Sequence, residues 1–247
     1  MKIKIIFIVA LVSFCFVNCN SQHKITPLSP TADTSYSFYK GSADGIGKFY
    51  KHREIAHVMG AEGSDWLERN DRNKEENTQM AIAKITIPTD GVIADIGAGT
   101  GYYTFKLTQK VPHGKVYAVE VQDEFIAYLH HKKQTLKDSI VEVVKGTALS
   151  PNLPANSVDL AIMVDVYHEL EYPREMLEAL SKSLKKDGKI LLIEYRGEDP
   201  AIAIKALHKT TVSQLNSEME ANGFKMFYQA EFLPIQHFLL YEKKEIK

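Results

Sequence analysis

The chain has 247 residues, of which 45% are hydrophobic and 25% are charged, so it is long enough for one α/β domain with a core of its own and a small appendage. The formal net charge is −1 at pH 7, and it becomes −3 without the first eighteen residues, which contain Lys2 and Lys4 and no acid. Proteins that bind nucleic acid through charge have a basic surface, so this composition argues against nucleic acid as a partner.

The first residues predict an export signal over positions 1–18. Lysines precede an apolar run at 5–17, which is short for a membrane span but suits a signal peptide. Cys19 follows directly, an arrangement that resembles a bacterial lipoprotein signal, in which the cysteine becomes the lipidated first residue. Asn18 departs from that pattern, because a small residue is usual there. An ordinary cleaved signal and an uncleaved anchor both stay open.

The lipoprotein resemblance implies a place in the bacterial cell envelope, either periplasmic or anchored to the outer membrane through a lipid on Cys19. Cys15 and Cys19 are the only cysteines, so the body of the chain offers no thiol for catalysis or metal binding and no disulfide. Residues 19–42 contain many Ser, Thr and Pro residues, and they predict a flexible tether.

Residues 43–90 predict a helical cap. The apolar spacing favours short amphipathic helices at 47–60 and 64–70 and a longer one at 75–85, which ends near Pro88. A cap that precedes a sheet is placed to cover a ligand crevice at the edge of that sheet.

Strands and helices alternate from residue 92, so residues 91–247 predict an α/β domain with a doubly wound, mostly parallel sheet. Strand-like runs occur at 92–97, 115–121, 140–146, 158–165, 189–195, 224–233 and 235–242. The last two are joined by a short turn at Pro234 and can pair only as an antiparallel hairpin.

Helices are predicted between these strands. Pro173 marks the start of one helix and Gly188 its end. Thr211 and Gln214 form a capping box at the start of the last helix, which Gly223 terminates.

The stretch "VIADIGAGTGYYTFKL" at 92–107 places a glycine loop between a strand and a helix. Its glycines, Gly97, Gly99 and Gly101, read G-x-G-x-G. A nicotinamide dinucleotide site has G-x-G-x-x-G, and a triphosphate loop has a lysine that is missing here. Glycines allow the backbone to approach a ligand closely, and the N-terminus of the following helix favours an anionic group.

The stretch "DIGAGTG" resembles the first motif of the class I S-adenosylmethionine-dependent methyltransferases. The resemblance implies that the cofactor is S-adenosylmethionine and that it is bound by Asp95, Gly97, Gly99, Thr100 and Gly101. Glu120 ends the next strand, about twenty residues on, where an acid can bind ribose hydroxyls. A solvated acid at a strand end is the alternative interpretation of Glu120.

Later segments resemble the same family in order, so the resemblance covers 92–242. The stretches 153–170 and 184–195 look like its fourth and fifth strands, with Asp165 at the end of the fourth, and the closing hairpin matches its antiparallel last strand. A Rossmann-like sheet of seven strands is therefore expected. The stretch "KGTALS" lacks the acid with which many relatives bind adenine, so Thr147 and backbone atoms would recognise that ring.

The resemblance implies a transferase that methylates a small-molecule acceptor. An exported ligand-binding protein on the same fold, without turnover, remains the alternative, because this cofactor is made in the cytoplasm. A nicotinamide-dependent oxidoreductase is the third and least favoured hypothesis, because the glycine spacing differs from that of a nicotinamide dinucleotide site.

The acceptor is expected between the cap and the loops that follow the fourth and fifth strands. His168 and Tyr167 are the candidate catalytic groups, with Arg196 behind them. His168 is interpreted either as a general base near neutral pH or as a structural residue. No metal is predicted, since no second histidine lies four residues beyond His168. His208 and His237 are expected to be structural.

Overall fold

The computed structural model describes residues 35–245, which contain two sheets and seven short or medium α-helices. In chain order the strands are β1 (Tyr36–Phe38), β2 (Gly45–Tyr50), β3 (Arg53–Ala56), β4 (Val92–Ile96), β5 (Lys115–Glu120), β6 (Val141–Lys145), β7 (Val158–Val164), β8 (Leu184–Tyr195), β9 (Phe224–Ala230) and β10 (Gln236–Lys243). The helices are α1 (Ser64–Leu67), α2 (Arg72–Glu76), α3 (Thr78–Lys84), α4 (Thr104–Leu107), α5 (Asp123–Leu136), α6 (Pro173–Ser183) and α7 (Val212–Ala221).

The larger sheet has seven strands in the order β6-β5-β4-β7-β8-β10-β9. The neighbours from β6 to β8 are parallel, whereas β10 runs antiparallel to both β8 and β9. The expectation of a doubly wound, mostly parallel seven-stranded sheet with an antiparallel last strand is therefore confirmed.

Both faces of this sheet are covered, which explains why its strands read as nearly continuous apolar runs. Ala94 and Ile96 face a core formed with α6 and α7, while Ile93 faces a second core formed with α3, α4 and α5. The carboxyl ends of β4, β5, β7 and β8 meet at one edge of the sheet. The loops that follow these strands are thereby brought together in space.

The expected helix at 47–60 is wrong, because β2 and β3 form an antiparallel hairpin there. Tyr50 pairs with Arg53 across a turn in which Lys51 and His52 both have positive φ, at 49° and 71°. Two positive φ values give the turn that suits the twist of a hairpin, although Asn-Gly or Asp-Gly is its usual sequence. The ordinary side chains of Lys51 and His52 concealed the turn, and β2 lacks the strict alternation in burial that is typical of a strand, since Gly47 and Lys48 are both buried.

The other boundaries of the cap also differ from the expectation. The tether predicted for 19–42 includes β1, which pairs with β2. The predicted helix at 75–85 is divided into α2 and α3 at Asn77, which adopts the left-handed conformation with φ of 56°.

Helix α6 begins at Pro173 as predicted, but it ends at Ser183, and β8 already begins at Leu184. Gly188 lies within β8, near the irregular register between β7 and β8, and does not terminate the helix. At α7 the side chain of Thr211 accepts a hydrogen bond from the Gln214 amide, which is one half of the predicted capping box.

The predicted signal at 1–18, Cys19 and the tether up to residue 34 lie outside the described residues. Within 35–245, every helix is too short or too polar to cross a bilayer.

Candidate functional site

A cavity of about 770 Å³ opens at the carboxyl edge of the larger sheet. It is enclosed by Asp44 and residues 57–72 of the cap, by the loops after β4, β5, β6 and β7, and by the segment 203–208. Ligand cavities commonly measure roughly 300–1,000 Å³, so this one has room for two small molecules side by side. It lies where the sequence predicted the cofactor and the acceptor.

The glycine loop forms one wall of the cavity, and two of its three glycines, Gly97 and Gly99, line that wall. Gly97 has φ of 69°, and a side chain there would meet Val166 at 2.8 Å. Gly99 has φ of 52° and would approach Leu67 of the cap at 3.0 Å. Gly101 contributes differently, because it packs against Phe105 and does not line the cavity. The loop therefore presents backbone rather than side chains to the cavity.

Glu120 is built into the same wall, with only 4% of its surface exposed. Its carboxylate accepts hydrogen bonds from the Gly99 amide at 2.9 Å and from the amides of Val121 and Gln122 at 2.6 and 3.0 Å. A strand-end acid that were merely solvated would make no such bonds. The arrangement ties the glycine loop to the end of β5 and fixes an acceptor group beside the cavity.

Two buried aspartates stand behind the loop. Asp95 accepts a hydrogen bond from the Thr104 hydroxyl at 2.6 Å, and burial raises its pKa to about 6. Asp165 has a positive φ of 54°, and one of its oxygens accepts from the Gln236 amide at 2.7 Å while Oδ1 has no hydrogen-bond partner among the described residues. Burial first, and then the carboxylates of Glu76 and Glu194, raise the pKa of Asp165 well above its usual range. An unpartnered buried oxygen on the cavity wall is suited to receive a ligand donor.

The two threonines of the predicted cofactor set differ in their surroundings. The buried Thr100 hydroxyl has no hydrogen-bond partner within the described part of the chain, and Thr100 lines the cavity. Thr147 lies at the exposed rim, where its hydroxyl accepts from the amides of Leu149 and Ser150 at 3.3 and 3.1 Å. Both threonines are therefore in reach of a ligand in the cavity.

His168 lies at the other end of the cavity and is 1% exposed. Its Nδ1 is 2.6 Å from Glu194 Oε2, and the other Glu194 oxygen accepts from the amides of Val166 and Tyr167. Because Glu194 receives the Nδ1 proton, the lone pair of a neutral His168 is on Nε2. That nitrogen lies 3.0 Å from Nδ1 of His208.

His168 thus belongs to a group of four side chains that we call the histidine cluster: His168, Glu169, His208 and Asp44. Nδ1 of His208 lies 3.4 Å from Glu169 Oε1, and its Nε2 lies 3.2 Å from Asp44 Oδ2. The contact with Glu169 raises the pKa of His208, although burial opposes this. All four residues line the cavity.

Tyr167 does not reach the cavity, in contrast to the expectation, and Arg196, which was expected behind it, does not line the cavity either. The Tyr167 ring is fully buried in the core, and its hydroxyl donates to Glu218 at 3.0 Å. Arg196 is directed away, toward Glu231 and the Leu233 carbonyl, both at 2.9 Å. The 3₁₀ turn at Tyr167–Glu169 sends successive side chains in different directions, so adjacent residues do not share the site.

Sequence reasoning missed several members of the site. Glu194 had a signal, because a carboxylate inside the apolar run "ILLIEY" must be paired when buried. His208 and Asp44 had none, since each lies in a loop far along the chain from His168. Arg72 of the cap also lines the cavity, and its guanidinium is held by Glu76 at 2.9 Å.

Comparison with known proteins was consistent with this geometry. The family model described as "Methyltransferase domain" matches residues 94–192. Over 116 residues the chain is 30% identical to a tRNA U34 carboxymethyltransferase of Helicobacter pylori (strain HPAG1), an alignment that covers 45% of this chain and 43% of that protein. The chain thus spans less than half the length of this curated relative.

Solved structures show the same fold. An S-adenosylmethionine-dependent methyltransferase from Aquifex aeolicus superimposes with a TM-score of 0.70 at 23% identity, covering 74% of this chain and 98% of that one. The O-methyltransferase NcsB1 from neocarzinostatin biosynthesis, in complex with S-adenosylhomocysteine and 1,4-dihydroxy-2-naphthoic acid, gives 0.60 at 16% identity, with 71% and 56% covered.

The match to the methyltransferase domain model agrees with the prediction of S-adenosylmethionine as cofactor, and the residues present fit this molecule. Its ribose hydroxyls and ammonium group are hydrogen-bond donors, and the cavity offers the Glu120 carboxylate and the unpartnered Asp165 oxygen as acceptors. Its carboxylate is an acceptor, and the Thr100 hydroxyl and the Arg72 guanidinium are the donors on the same wall.

Proposed function

We propose that this chain, which carries a class I S-adenosylmethionine-dependent methyltransferase domain, transfers the methyl group of that cofactor to a small-molecule acceptor. One observation carries the proposal: a single cavity joins the glycine loop to the histidine cluster. With the cofactor held at the glycine loop and Glu120, the remaining space lies beneath the cap and ends at His168.

The walls of that remaining space favour a small and largely apolar acceptor with a hydroxyl group. Val58, Met59 and Ile204 supply apolar lining, and the histidine cluster supplies the polar end. A tRNA acceptor, as the name of the Helicobacter relative implies for that protein, would require a basic surface, whereas this chain has a net charge of −1.

Bound S-adenosylmethionine supplies an electrophilic methyl group on a sulfonium. The acceptor oxygen forms a bond to the methyl carbon, the carbon–sulfur bond breaks, and its electron pair stays on sulfur. The protein must align the acceptor and dispose of its hydroxyl proton. We assign the second task, in the metal-free protein, to His168, because Glu194 contacts its Nδ1 and its Nε2 lies at the acceptor end, where His208 is its neighbour at 3.0 Å. The Nε2 lone pair of His168 can accept a proton or coordinate a cation.

Titration calorimetry with S-adenosylmethionine and S-adenosylhomocysteine tests the cofactor site. Gly99→Val should abolish binding, because a branched side chain at positive φ displaces the loop and meets Leu67. Gly223→Val is the matched control: Gly223 also has positive φ, at 81°, but lies in open space away from the cavity. Equal loss in both variants would contradict the assignment, as would an unaltered protein that binds NAD but neither methionine derivative.

The acceptor class is tested with methyl-labelled cofactor, a panel of hydroxylated aromatic acids, and bulk tRNA. Label should enter low-molecular-weight hydroxyl compounds, and His168→Ala should lower transfer by roughly a hundredfold or more while cofactor affinity is nearly unchanged. Transfer to tRNA alone would overturn the small-molecule proposal. Tight cofactor binding with no transfer to any acceptor would favour a binding protein without turnover.

We also propose that the protein is exported and lipidated at Cys19, on the support of the apolar run that precedes this residue. Mass spectrometry of the mature N-terminus tests the proposal. A diacylglyceryl cysteine as first residue is expected, and an intact Met1 or an unmodified chain that begins elsewhere would exclude it.

A further inference from the structure

We propose that His168, Glu169 and His208 bind a divalent transition-metal ion such as Zn²⁺ at the acceptor end of the cavity. The three residues bring two imidazole nitrogens and one carboxylate oxygen to one place, although His208 lies forty residues beyond His168. Imidazole nitrogens with a carboxylate are ligands that zinc and ferrous iron accept in sites with an open position.

The separations of the ligand atoms suit one ion. Nε2 of His168 lies 3.0 Å from Nδ1 of His208 and 3.8 Å from Glu169 Oε1, and the third side of this triangle is 3.4 Å. With bonds of about 2.0–2.2 Å, the ligands of a tetrahedral zinc ion are about 3.3–3.5 Å apart. The triangle therefore needs only small side-chain adjustments to hold such an ion.

The outer nitrogens of both histidines face carboxylates, as is usual for histidines that bind a metal. Nδ1 of His168 contacts the fully buried Glu194 at 2.6 Å, and Nε2 of His208 lies 3.2 Å from Asp44. The amide of Met59 donates to Glu169 at 3.2 Å and positions that ligand. The Glu194 contact therefore directs the Nε2 lone pair of His168 toward His208, whereas Asp44 lies near His208 Nε2 without a hydrogen bond between the two atoms.

The charges around the cluster also favour a cation. Glu169, Glu194 and Asp44 are all within 4 Å of an imidazole nitrogen. Lys205 pairs with Asp44 at 2.6 Å and offsets one of these charges. Without a metal ion the two imidazole nitrogens lie 3.0 Å apart, within hydrogen-bond distance, and a bound ion would replace that direct contact.

A bound ion would leave an open position toward the cavity, where an acceptor hydroxyl could coordinate and lose its proton. This role rests on the proposed function, whereas the metal site itself does not. Metal binding is therefore measured without any methyl donor, and cofactor binding is measured on metal-free protein.

The experiment uses the full protein after removal of metals with a chelator. Titration with Zn²⁺ should show one ion per chain, and Co²⁺ should give the visible bands of a tetrahedral site. His208→Ala, Glu169→Gln and His168→Asn should each lower Zn²⁺ affinity at least about tenfold to a hundredfold. The Asn variant retains a donor for Glu194 but lacks the Nε2 ligand, so it separates metal binding from stability.

His131→Ala is the control, because His131 is an exposed histidine on α5 outside the cluster. Its Zn²⁺ affinity should equal that of the unaltered protein. The proposal is overturned if the unaltered protein binds no more Zn²⁺ than the cluster variants do. A folded protein that binds S-adenosylmethionine but not Zn²⁺ would reject the metal site alone, and the reverse result would reject the methyl-transfer proposal alone.

Discussion

At the scale of single residues, the burial of Asp95 has a consequence for stability. Its pKa is raised from 3.8 to about 6 in the folded protein, because burial disfavours the carboxylate. In the unfolded chain the Asp95 carboxyl group ionises at lower pH, so the folded state retains its proton up to a higher pH than the unfolded state does. Its contribution to stability is present below about pH 4 and is lost as the pH rises through about 6.

Asp95→Asn should remove this dependence. Between pH 4 and 7 the free energy of unfolding of the variant should rise relative to the unaltered protein by up to about 3 kcal/mol, from a shift of roughly two pKa units. The asparagine still offers an oxygen to the Thr104 hydroxyl. Urea unfolding at several pH values, without cofactor, measures the difference in the free energy of unfolding. If this free energy changed with pH in the same way in the two proteins, the prediction would be wrong.

Residue chemistry also limits what a sequence reveals about a site. The residues predicted to bind the cofactor could be identified from the sequence, because they lie within 95–101 and at the end of the next strand. Spacing along the chain alone fixes the positions of these residues. The histidine cluster could not be predicted from the sequence, because Asp44, His168 and His208 come together only through the packing of three separate loops. Tyr167 was misplaced for a related reason: a neighbour in sequence is not a neighbour in space on a 3₁₀ turn.

At the scale of elements, a buried ion pair joins the small sheet to helix α7. Arg53 on β3 makes two hydrogen bonds to Glu218 on α7, at 2.7 and 2.9 Å, and a third to the His168 carbonyl at 3.0 Å. Glu218 is fully buried and also accepts from the Tyr167 hydroxyl. This connection holds the hairpin against the turn that carries His168.

Arg53→Met should therefore lower the free energy of unfolding by about 3–5 kcal/mol, since it leaves a buried carboxylate without its cation. Lys182→Met is the matched control: Lys182 pairs with Glu178 on the surface of α6 at 2.8 Å, and solvent screens such an exposed pair, so its loss should change the free energy of unfolding far less. Chemical denaturation of both variants provides the comparison. Similar losses in the two would show that burial of the Arg53 pair is unimportant.

Elements of the larger sheet were predictable, and those of the cap were not. Strands buried on both faces are predicted by their apolar runs, and α6 and α7 begin at ordinary start signals, Pro173 and Thr211. In the cap, β2 has only six residues, does not alternate strictly in burial, and turns through Lys51 and His52, which are not typical turn residues. Tertiary pairing decides the structure of such short segments.

At the scale of the whole molecule, the cavity is bounded by both the sheet edge and the cap, so a bound cofactor should stabilise both parts. A ligand at a hundredfold excess over its Kd contributes about 2.7 kcal/mol to folding. For a domain of roughly 150–250 residues each kcal/mol raises Tm by about 2–4 °C, so S-adenosylmethionine should raise Tm by about 5–10 °C.

The location of that stabilisation distinguishes a cap that closes over the cofactor from one that merely lies nearby. Hydrogen exchange should slow in residues 57–72, which line the cavity, and remain unchanged in β9 at the far edge of the sheet. Gly99→Val should show neither the rise in Tm nor the protection. A rise in Tm without protection of 57–72 would mean that the cofactor contacts the sheet edge alone, and the acceptor space would then be open to solvent rather than covered by the cap.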